Sequence, residues 1–485
     1  MQLKDKDLFR TKAYVDGQWI DADDGSTFAV TNPANDELIA EVARCGGDET
    51  RRAIEAAEKA QVLWRQKTAT ERSNLLRKWF NLMMEAQEDL AQILTAEQGK
   101  PLFESRGEIA YGASFIEWFA EEAKRIYGDV IAPPANDRRI VVIKQPVGVV
   151  ACITPWNFPN AMLTRKVGAA LAAGCTTVCK PASATPLSAF AMVELAERAG
   201  IPAGVINVLA GRTAAIGEEL TSNPIVRKLT FTGSTEVGKK LVADCAQTMK
   251  RTSMELGGNA PFIVFDDADL DTAVQATMVT KYRNAGQTCV CANRILVQDT
   301  VMEEYSQKLA EAVKGLKVGN GADDDVTIGP LIDDTAADTV CSMIDDAVAK
   351  GAKVVLGGGR SELGGRFVEP TILSNVTDDM RVFREEIFGP VSPLVSFSTE
   401  EEAIAMGNDT EFGLAAYFCA RDVGRIWRVA EGLDYGIVGI NEGMISNTMA
   451  PFGGMKESGN GREGSKYGLD DYVEIKYLCI GAIDK

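Results

Sequence analysis

The sequence predicts an α/β fold in which two parallel sheets carry helices on both faces and a small β unit stands apart. Three observations predict it. Strand and helix signals alternate from Val147 to Leu256, a second alternation begins after Asn259, and two segments with a strand pattern, around Ile140 and Ile475, lie outside both.

Taken in order, residues 48–94 read as two amphipathic helices. The second is opened by Thr68-Ala69-Thr70-Glu71, where a hydroxyl and a carboxylate three residues on can each satisfy a free backbone N–H. Beyond Tyr127 the chain turns at Asn136 and Asp137 between two β-rich runs, a hairpin over 128–144. A ribbon with few neighbours is marginal alone, so it is expected to pair with another subunit.

Strands are predicted over 149–153, 176–179, 205–209 and 228–231, and helices over 162–173, 186–199, 213–220 and 234–248. This is the βαβ rhythm of a Rossmann-like unit, whose nucleotide site lies at the strand C-termini. The second alternation places strands over 263–264 and 294–297, and helices over 270–284 and 301–316. Residues 472–478 alternate with period two, a final strand expected to pair with the hairpin of a partner chain. The chain thus divides into a cofactor-binding domain (1–127 and 147–256), a catalytic α/β domain (257–457), and an oligomerisation hairpin and tail (128–146 and 458–485).

Composition narrows the chemistry. With 485 residues, 46% hydrophobic and 25% charged, the chain is of the soluble globular class. The charged start Met-Gln-Leu-Lys-Asp-Lys-Asp lacks the apolar core of a secretory signal. No run approaches the ~18 apolar residues of a membrane span, so a cytoplasmic location without membrane attachment is expected. A net charge of -18 argues against nucleic acid, and an anionic substrate would need a local cluster of arginine. The ten cysteines are too sparse for a disulfide scaffold, and no Cys-x-x-Cys pair points to a metal. There is no histidine, which excludes Ser-His-Asp and Cys-His activation and leaves Glu, Asp, Lys, Tyr or Cys as the general base.

The candidate site is Asn284-Ala285-Gly286-Gln287-Thr288-Cys289-Val290-Cys291-Ala292-Asn293-Arg294. Two readings fit it: a thiol nucleophile beside a glycine that lets backbone approach a ligand, or small apolar residues filling a core. For a dinucleotide, the literal Gly-x-Gly-x-x-Gly at 459–464 does not lie between a strand and a helix and reads as a loop. Phe231-Thr232-Gly233-Ser234 is placed better, since a helix starting at Ser234 would aim free N–H groups and a hydroxyl at an anion; alone it is equally an ordinary capped helix. Lys180-Pro181-Ala182-Ser183 follows another strand and sets a cation where an adenosine ribose or its 2′-phosphate would lie, or else a surface lysine before a turn.

Trp156-Asn157-Phe158-Pro159, Lys180-Pro181-Ala182-Ser183, Phe231-Thr232-Gly233-Ser234, Glu255-Leu256-Gly257-Gly258-Asn259, Gly286-Gln287-Thr288-Cys289, Glu386-Ile387-Phe388-Gly389-Pro390 and Pro451-Phe452-Gly453-Gly454 occur in the order found in the aldehyde dehydrogenase superfamily. The resemblance spans essentially the whole chain and implies that superfamily's fold: a Rossmann-like domain, an α/β catalytic domain and a small β oligomerisation domain. Arg165, Arg283, Ser446, the Cys289-x-Cys291 pair and Gly464-Ser465-Lys466-Tyr467-Gly468 are similar to the NADP-dependent succinate-semialdehyde dehydrogenases within it.

By this resemblance Cys289 attacks an aldehyde, Asn157 and the Cys289 N–H hold the oxyanion, and Glu255 activates the water that releases the acid. Arg165, Arg283 and Ser446 would grip a distal carboxylate. Trp156, Lys180, Ser183, Gly233, Ser234, Glu386 and Phe388 would form the cofactor site, with Glu386 at the ribose and Phe388 beside the nicotinamide. Relatives that use NAD commonly carry glutamate where this chain has Ser183, so NADP is the expected cofactor, with NAD possible. The expected reaction is oxidation of succinate semialdehyde to succinate, or of glutarate semialdehyde one methylene longer, by a homodimer or homotetramer. A reversible Cys289–Cys291 disulfide that switches activity off, and simple packing of Cys291, stand as alternatives.

Overall fold

The computed structural model describes residues 1–483. Its first sheet has eight strands. Five are parallel, in the spatial order Arg251–Glu255, Val226–Thr232, Val149–Ile153, Thr176–Lys180, Ile206–Val208. Strand order reverses between Val149–Ile153 and Val226–Thr232, and the crevice outside their carboxyl ends is where a doubly wound sheet binds ligands. The helices Ala161–Ala173, Leu187–Ala199, Thr213–Ser222 and Thr235–Ala246 alternate with these strands, close to the predicted bounds.

The second sheet has seven strands. Six are parallel: Thr371–Ser374, Val391–Phe397, Ala292–Gln298, Ala260–Val264, Ala415–Cys419 and Ile437–Ile440. The Leu256-Gly257-Gly258-Asn259 segment joins Arg251–Glu255 of the first sheet directly to Ala260–Val264 of the second. One turn of chain therefore fixes the carboxyl ends of the first sheet against the loop that enters Ala292–Gln298.

Four sequence expectations need correction or extension. The tail strand Val473–Ile480 pairs antiparallel with Arg139–Pro146 of its own chain, not with a partner's hairpin. The hairpin strand Asp129–Ile131 completes that three-stranded sheet, so the ribbon finds its third strand within the chain. The two helices read over 48–94 are three: Gly47–Trp64, Ala69–Glu85 and Gln87–Gln98. The break at Ala86 contains no glycine or proline, so periodicity carries no signal of it; Asp89, just beyond, accepts the backbone N–H groups of Lys4 and Asp5, a tertiary contact invisible locally. Finally, the loop over 459–464 is not bare: Gly459–Asn460 adds an antiparallel edge to Arg251–Glu255.

The helix Leu102–Glu122 shows no clear period in the sequence: Ile109, Phe115, Ile116 and Phe119 are fully buried along one face, but the apolar Phe103, Ala110 and Trp118 lie on the other side and blur the pattern. It lies against Ala161–Ala173 and delivers three side chains to the site.

The capping box opening Ala69–Glu85 is formed as the sequence predicts: Glu71 N–H donates to Thr68 Oγ1 at 3.2 Å, and Thr68 N–H donates to Glu71 Oε2 at 2.7 Å. Thr68→Ala is expected to lower the unfolding free energy by about 1 kcal/mol while leaving turnover unchanged, measured by urea denaturation and steady-state kinetics. A change in turnover with no loss of stability would show that this helix is not mere scaffold.

Candidate active site

The Cys289 loop is built from strained backbone. Asn284 and Ala285 bear a Cβ yet sit at φ 52° and 54°, a conformation that costs roughly 1–2 kcal/mol per residue. Side chains from other elements hold it there. Glu104 accepts the Asn284 N–H at 2.9 Å, Gln98 donates to Asn284 Oδ1 at 3.0 Å, and Asn284 Nδ2 donates to the backbone oxygens of Asn157 at 3.0 Å and Gln287 at 3.2 Å. Gly286 follows at φ 77°, where a Cβ would lie 2.2 Å from the Gly389 carbonyl oxygen. Only glycine permits that approach.

Asn157 is fixed from the same side. The ammonium of Lys100, fully buried, donates to the Asn157 carbonyl at 2.7 Å and to Glu108 at 2.6 Å, and lies 3.8 Å above the Phe158 ring. Asn157 Nδ2 donates one hydrogen to the Gln287 carbonyl at 3.0 Å, which leaves its second hydrogen for a ligand. Among the described residues no protein acceptor takes the Cys289 backbone N–H.

Cys289 is half-buried and lines two cavities at once. On one side is a cavity of about 280 Å³ bounded by Trp156, Asn157, Gly233, Ser234, Glu386 and Phe388, at the reversal of strand order in the first sheet. On the other is a small cavity of about 20 Å³ that Cys289 shares with Arg165, Arg283, Ser446 and Tyr111. Arg283, Ser446 and Tyr111 also line an outer chamber of about 520 Å³, mostly apolar, that leads toward solvent. The thiol thus stands between a space that suits a dinucleotide and a passage that suits a small substrate.

The dinucleotide features agree with the larger cavity. Ser234 precedes Thr235–Ala246 as its N-cap, but its hydroxyl makes no capping hydrogen bond, so it and the first-turn N–H groups remain open to an anion. Trp156 and Phe388 meet edge to face at 5.6 Å. Glu386 accepts the Gly258 N–H at 3.0 Å; burial pushes its carboxyl up to about 7. Lys180 ends the strand next to Val149–Ile153 and has no carboxylate partner among the described residues; burial pulls its ammonium down to about 8. Its one contact is the Pro181 carbonyl at 3.4 Å. Ser183, half-buried, follows on the same turn, and neither residue bounds the 280 Å³ cavity itself.

Glu255 is 3% exposed, and neither carboxylate oxygen has a hydrogen-bond partner among the described residues. Burial first, then the Glu463 carboxylate, hold it well above the usual carboxylate range, against the pull of Lys166, Arg165 and Arg462. A buried acid left without partners is costly unless it has work to do. Burial likewise raises the Cys289 thiol to about 12, aided by Glu386 and Glu255 and opposed by Arg165 and Arg283. The protein therefore stores this nucleophile as a neutral thiol.

The two arginines differ. Arg283 is half-buried, donates to Met444 Sδ at 3.2 Å, lies 5.2 Å from the Phe158 ring centroid, and has no carboxylate within 4 Å among the described residues. Arg165 is already committed: Nη1 donates to Glu463 at 3.1 Å and Nη2 to the Tyr111 hydroxyl, leaving a buried Nε without a partner. Sequence reasoning missed this, since Glu463 sits in the loop set aside as a false dinucleotide motif. It also missed Lys100, Glu104, Glu108, Lys166 and Tyr111, whose roles come from helix packing that one sequence does not display. Cys291 bounds neither cavity; its thiol turns to the Lys281 and Ala292 carbonyls, at 3.6 and 3.7 Å.

Comparison with known proteins agrees with this geometry. The aldehyde dehydrogenase family matches residues 19–478. The chain is similar to a glutarate-semialdehyde dehydrogenase of Pseudomonas aeruginosa, 64% identical over 483 residues and covering 100% of both chains. It is similar also to the NADP(+) succinate-semialdehyde dehydrogenase of Escherichia coli, 61% identical over 99% of this chain and 100% of the relative. The crystal structure of succinate-semialdehyde dehydrogenase from Burkholderia pseudomallei, 59% identical, superposes with a TM-score of 0.98 over 99% of this chain and 100% of that one.

With its thiol raised to about 12, Cys289 is expected to be alkylated by iodoacetamide about tenfold faster for each pH unit between pH 7 and 10, read from its peptide by mass spectrometry. A plateau below pH 8 would mean that the free protein already holds a thiolate.

Proposed function

The chain belongs to the aldehyde dehydrogenase family, and from that premise we propose that it oxidises succinate semialdehyde to succinate with reduction of NADP. One observation carries the substrate assignment. Arg283, a guanidinium with no carboxylate partner among the described residues, borders both the outer chamber and the small cavity that ends at Cys289. In a chain of net charge -18, a cation left unpaired at the mouth of a passage is suited to an anionic group on the substrate. The free Nε of Arg165 and the Ser446 hydroxyl supply further donors along the same wall.

In this reading the Cys289 thiol gives its proton to Glu255, which passes it to solvent, as the sulfur adds to the aldehyde carbon, and the resulting oxyanion lies between the free hydrogen of Asn157 Nδ2 and the Cys289 N–H. A cofactor held beside Cys289 by Trp156 and Phe388 would supply the hydride acceptor that takes this carbon to the thioester. Glu255 then removes a proton from the water that hydrolyses the thioester, a role its partnerless oxygens and raised pKa suit. Gly233, Ser234 and the start of Thr235–Ala246 hold the pyrophosphate, Glu386 a ribose, and Trp156 and Phe388 the walls beside the nicotinamide. Lys180 and Ser183 favour a 2′-phosphate, because the cation has no carboxylate partner among the described residues and no acid stands at Ser183 to repel it. NAD remains an acceptable second cofactor.

A specific observation favours glutarate semialdehyde as the second reading: the relative at 64% identity carries that name. One methylene is worth only about 1–3 kcal/mol in a pocket, so both substrates fit the same donors. We further propose a cytoplasmic homodimer or homotetramer, joined through the three-stranded sheet, whose edge strand leaves Ile475 70% and Tyr477 60% exposed. No helix among the described residues is long and apolar enough to cross a membrane.

The test is kcat/KM for succinate semialdehyde, glutarate semialdehyde and butanal, each with NADP and NAD. Either semialdehyde is expected to exceed butanal by about 100-fold, and Arg283→Gln to remove most of that margin while leaving butanal unchanged. NADP is expected to exceed NAD. An enzyme indifferent to the carboxylate would overturn the substrate reading, and a strong preference for NAD the cofactor reading.

A further inference from the structure

Tyr111 belongs to no motif, yet it stands where the outer chamber narrows toward Cys289. It borders both the 520 Å³ chamber and the small cavity at the thiol, as do Arg283 and Ser446. Its ring is held edge-on to Phe115 at 5.1 Å, on the buried helix Leu102–Glu122. Arg165, stacked between Phe115 at 4.7 Å and Phe452 at 4.6 Å, cannot swing away, and its Nη2 donates to the phenol oxygen.

That last contact sets the direction of the hydroxyl. A phenol oxygen that accepts from a guanidinium must aim its own hydrogen elsewhere, and accepting a charged donor makes the O–H a stronger donor in turn. Its other polar neighbour is the Ser446 hydroxyl in the same small cavity, which lowers the phenol's pKa as a donor to its oxygen and so leaves the Tyr111 hydrogen for a ligand that both hydroxyls face. Burial raises the phenol above its ordinary pKa, against the pull of Arg165, Arg283 and the Ser446 hydroxyl, so the hydrogen is retained at neutral pH.

We propose that the Tyr111 hydroxyl donates a hydrogen bond to the distal carboxylate of the substrate, so that Arg165, besides the donor left on its Nε, acts on that carboxylate by orienting Tyr111. The proposal rests on the carboxylated-aldehyde reading above and names the residue that turns a general attraction for anions into a fixed position. Arg283 at the chamber supplies charge; Tyr111 supplies direction.

The experiment compares the full-length protein with Tyr111→Phe, which deletes one oxygen and keeps the ring packed. KM and kcat are measured for succinate semialdehyde and butanal, together with the inhibition constant of succinate against butanal. The expected result is an approximately tenfold rise in KM for succinate semialdehyde and in the succinate inhibition constant, with kcat and butanal turnover within about twofold of wild type. Equal losses on both aldehydes would assign Tyr111 a structural role and overturn the proposal, as would no change in either constant. Wild type that does not prefer succinate semialdehyde to butanal would overturn the functional reading itself, a result distinct from an unaffected variant in an enzyme that keeps its preference.

Discussion

The site depends on one close approach. A Cβ on Gly258 would lie 2.4 Å from the Cys289 carbonyl oxygen, so the crossing segment between the sheets and the thiol loop touch backbone to backbone. The same crossing donates the Gly258 N–H to Glu386 and begins one residue after Glu255. Acid, thiol and the acceptor over the cofactor cavity are thereby referred to a single rigid turn rather than to flexible side chains. Any side chain at Gly258 would have to move that carbonyl, and displacements of about 1 Å at a reacting centre can cost two orders of magnitude in rate.

Charge is arranged around that turn by burial in pairs. Lys100 pairs with Glu108, and Glu463 pairs with both Arg165 and Lys166, a cluster that keeps one positive charge in excess, and each holds a backbone or side chain of the site in place. Breaking such a pair strands a buried charge, which is why these groups act as fixed supports. Against that background Glu255 lacks a partner and Arg283 a carboxylate among the described residues. Glu255 and Arg283 are the two that meet reactants in the reading proposed above.

Much of this was legible in the sequence, for physical reasons that differ by element. The strands and helices over 149–248 were clear because parallel strands buried on both faces produce continuous apolar runs separated by turn residues. The Thr68 cap was legible because its partner lies three residues away. Leu102–Glu122 was not, because apolar residues on its outer side, Phe103 and Trp118, blur its amphipathic period, and with it went Glu104, Glu108 and Tyr111. Arg165 was readable as a cation near the site but not as one already bound to Glu463, a contact across 298 residues. The tail strand was recognised by its alternation, whereas which edge it joins depends on tertiary geometry.

The central claim is that the Cys289 sulfur, lying between the dinucleotide cavity and the substrate passage, carries the acyl group and that Glu255 releases it. Intact-mass and peptide analysis of Glu255→Gln quenched during reaction with succinate semialdehyde and NADP tests this most directly. The account predicts a succinyl thioester on Cys289 and on no other cysteine. Undiminished turnover with no adduct, or an adduct on a different residue, would contradict it.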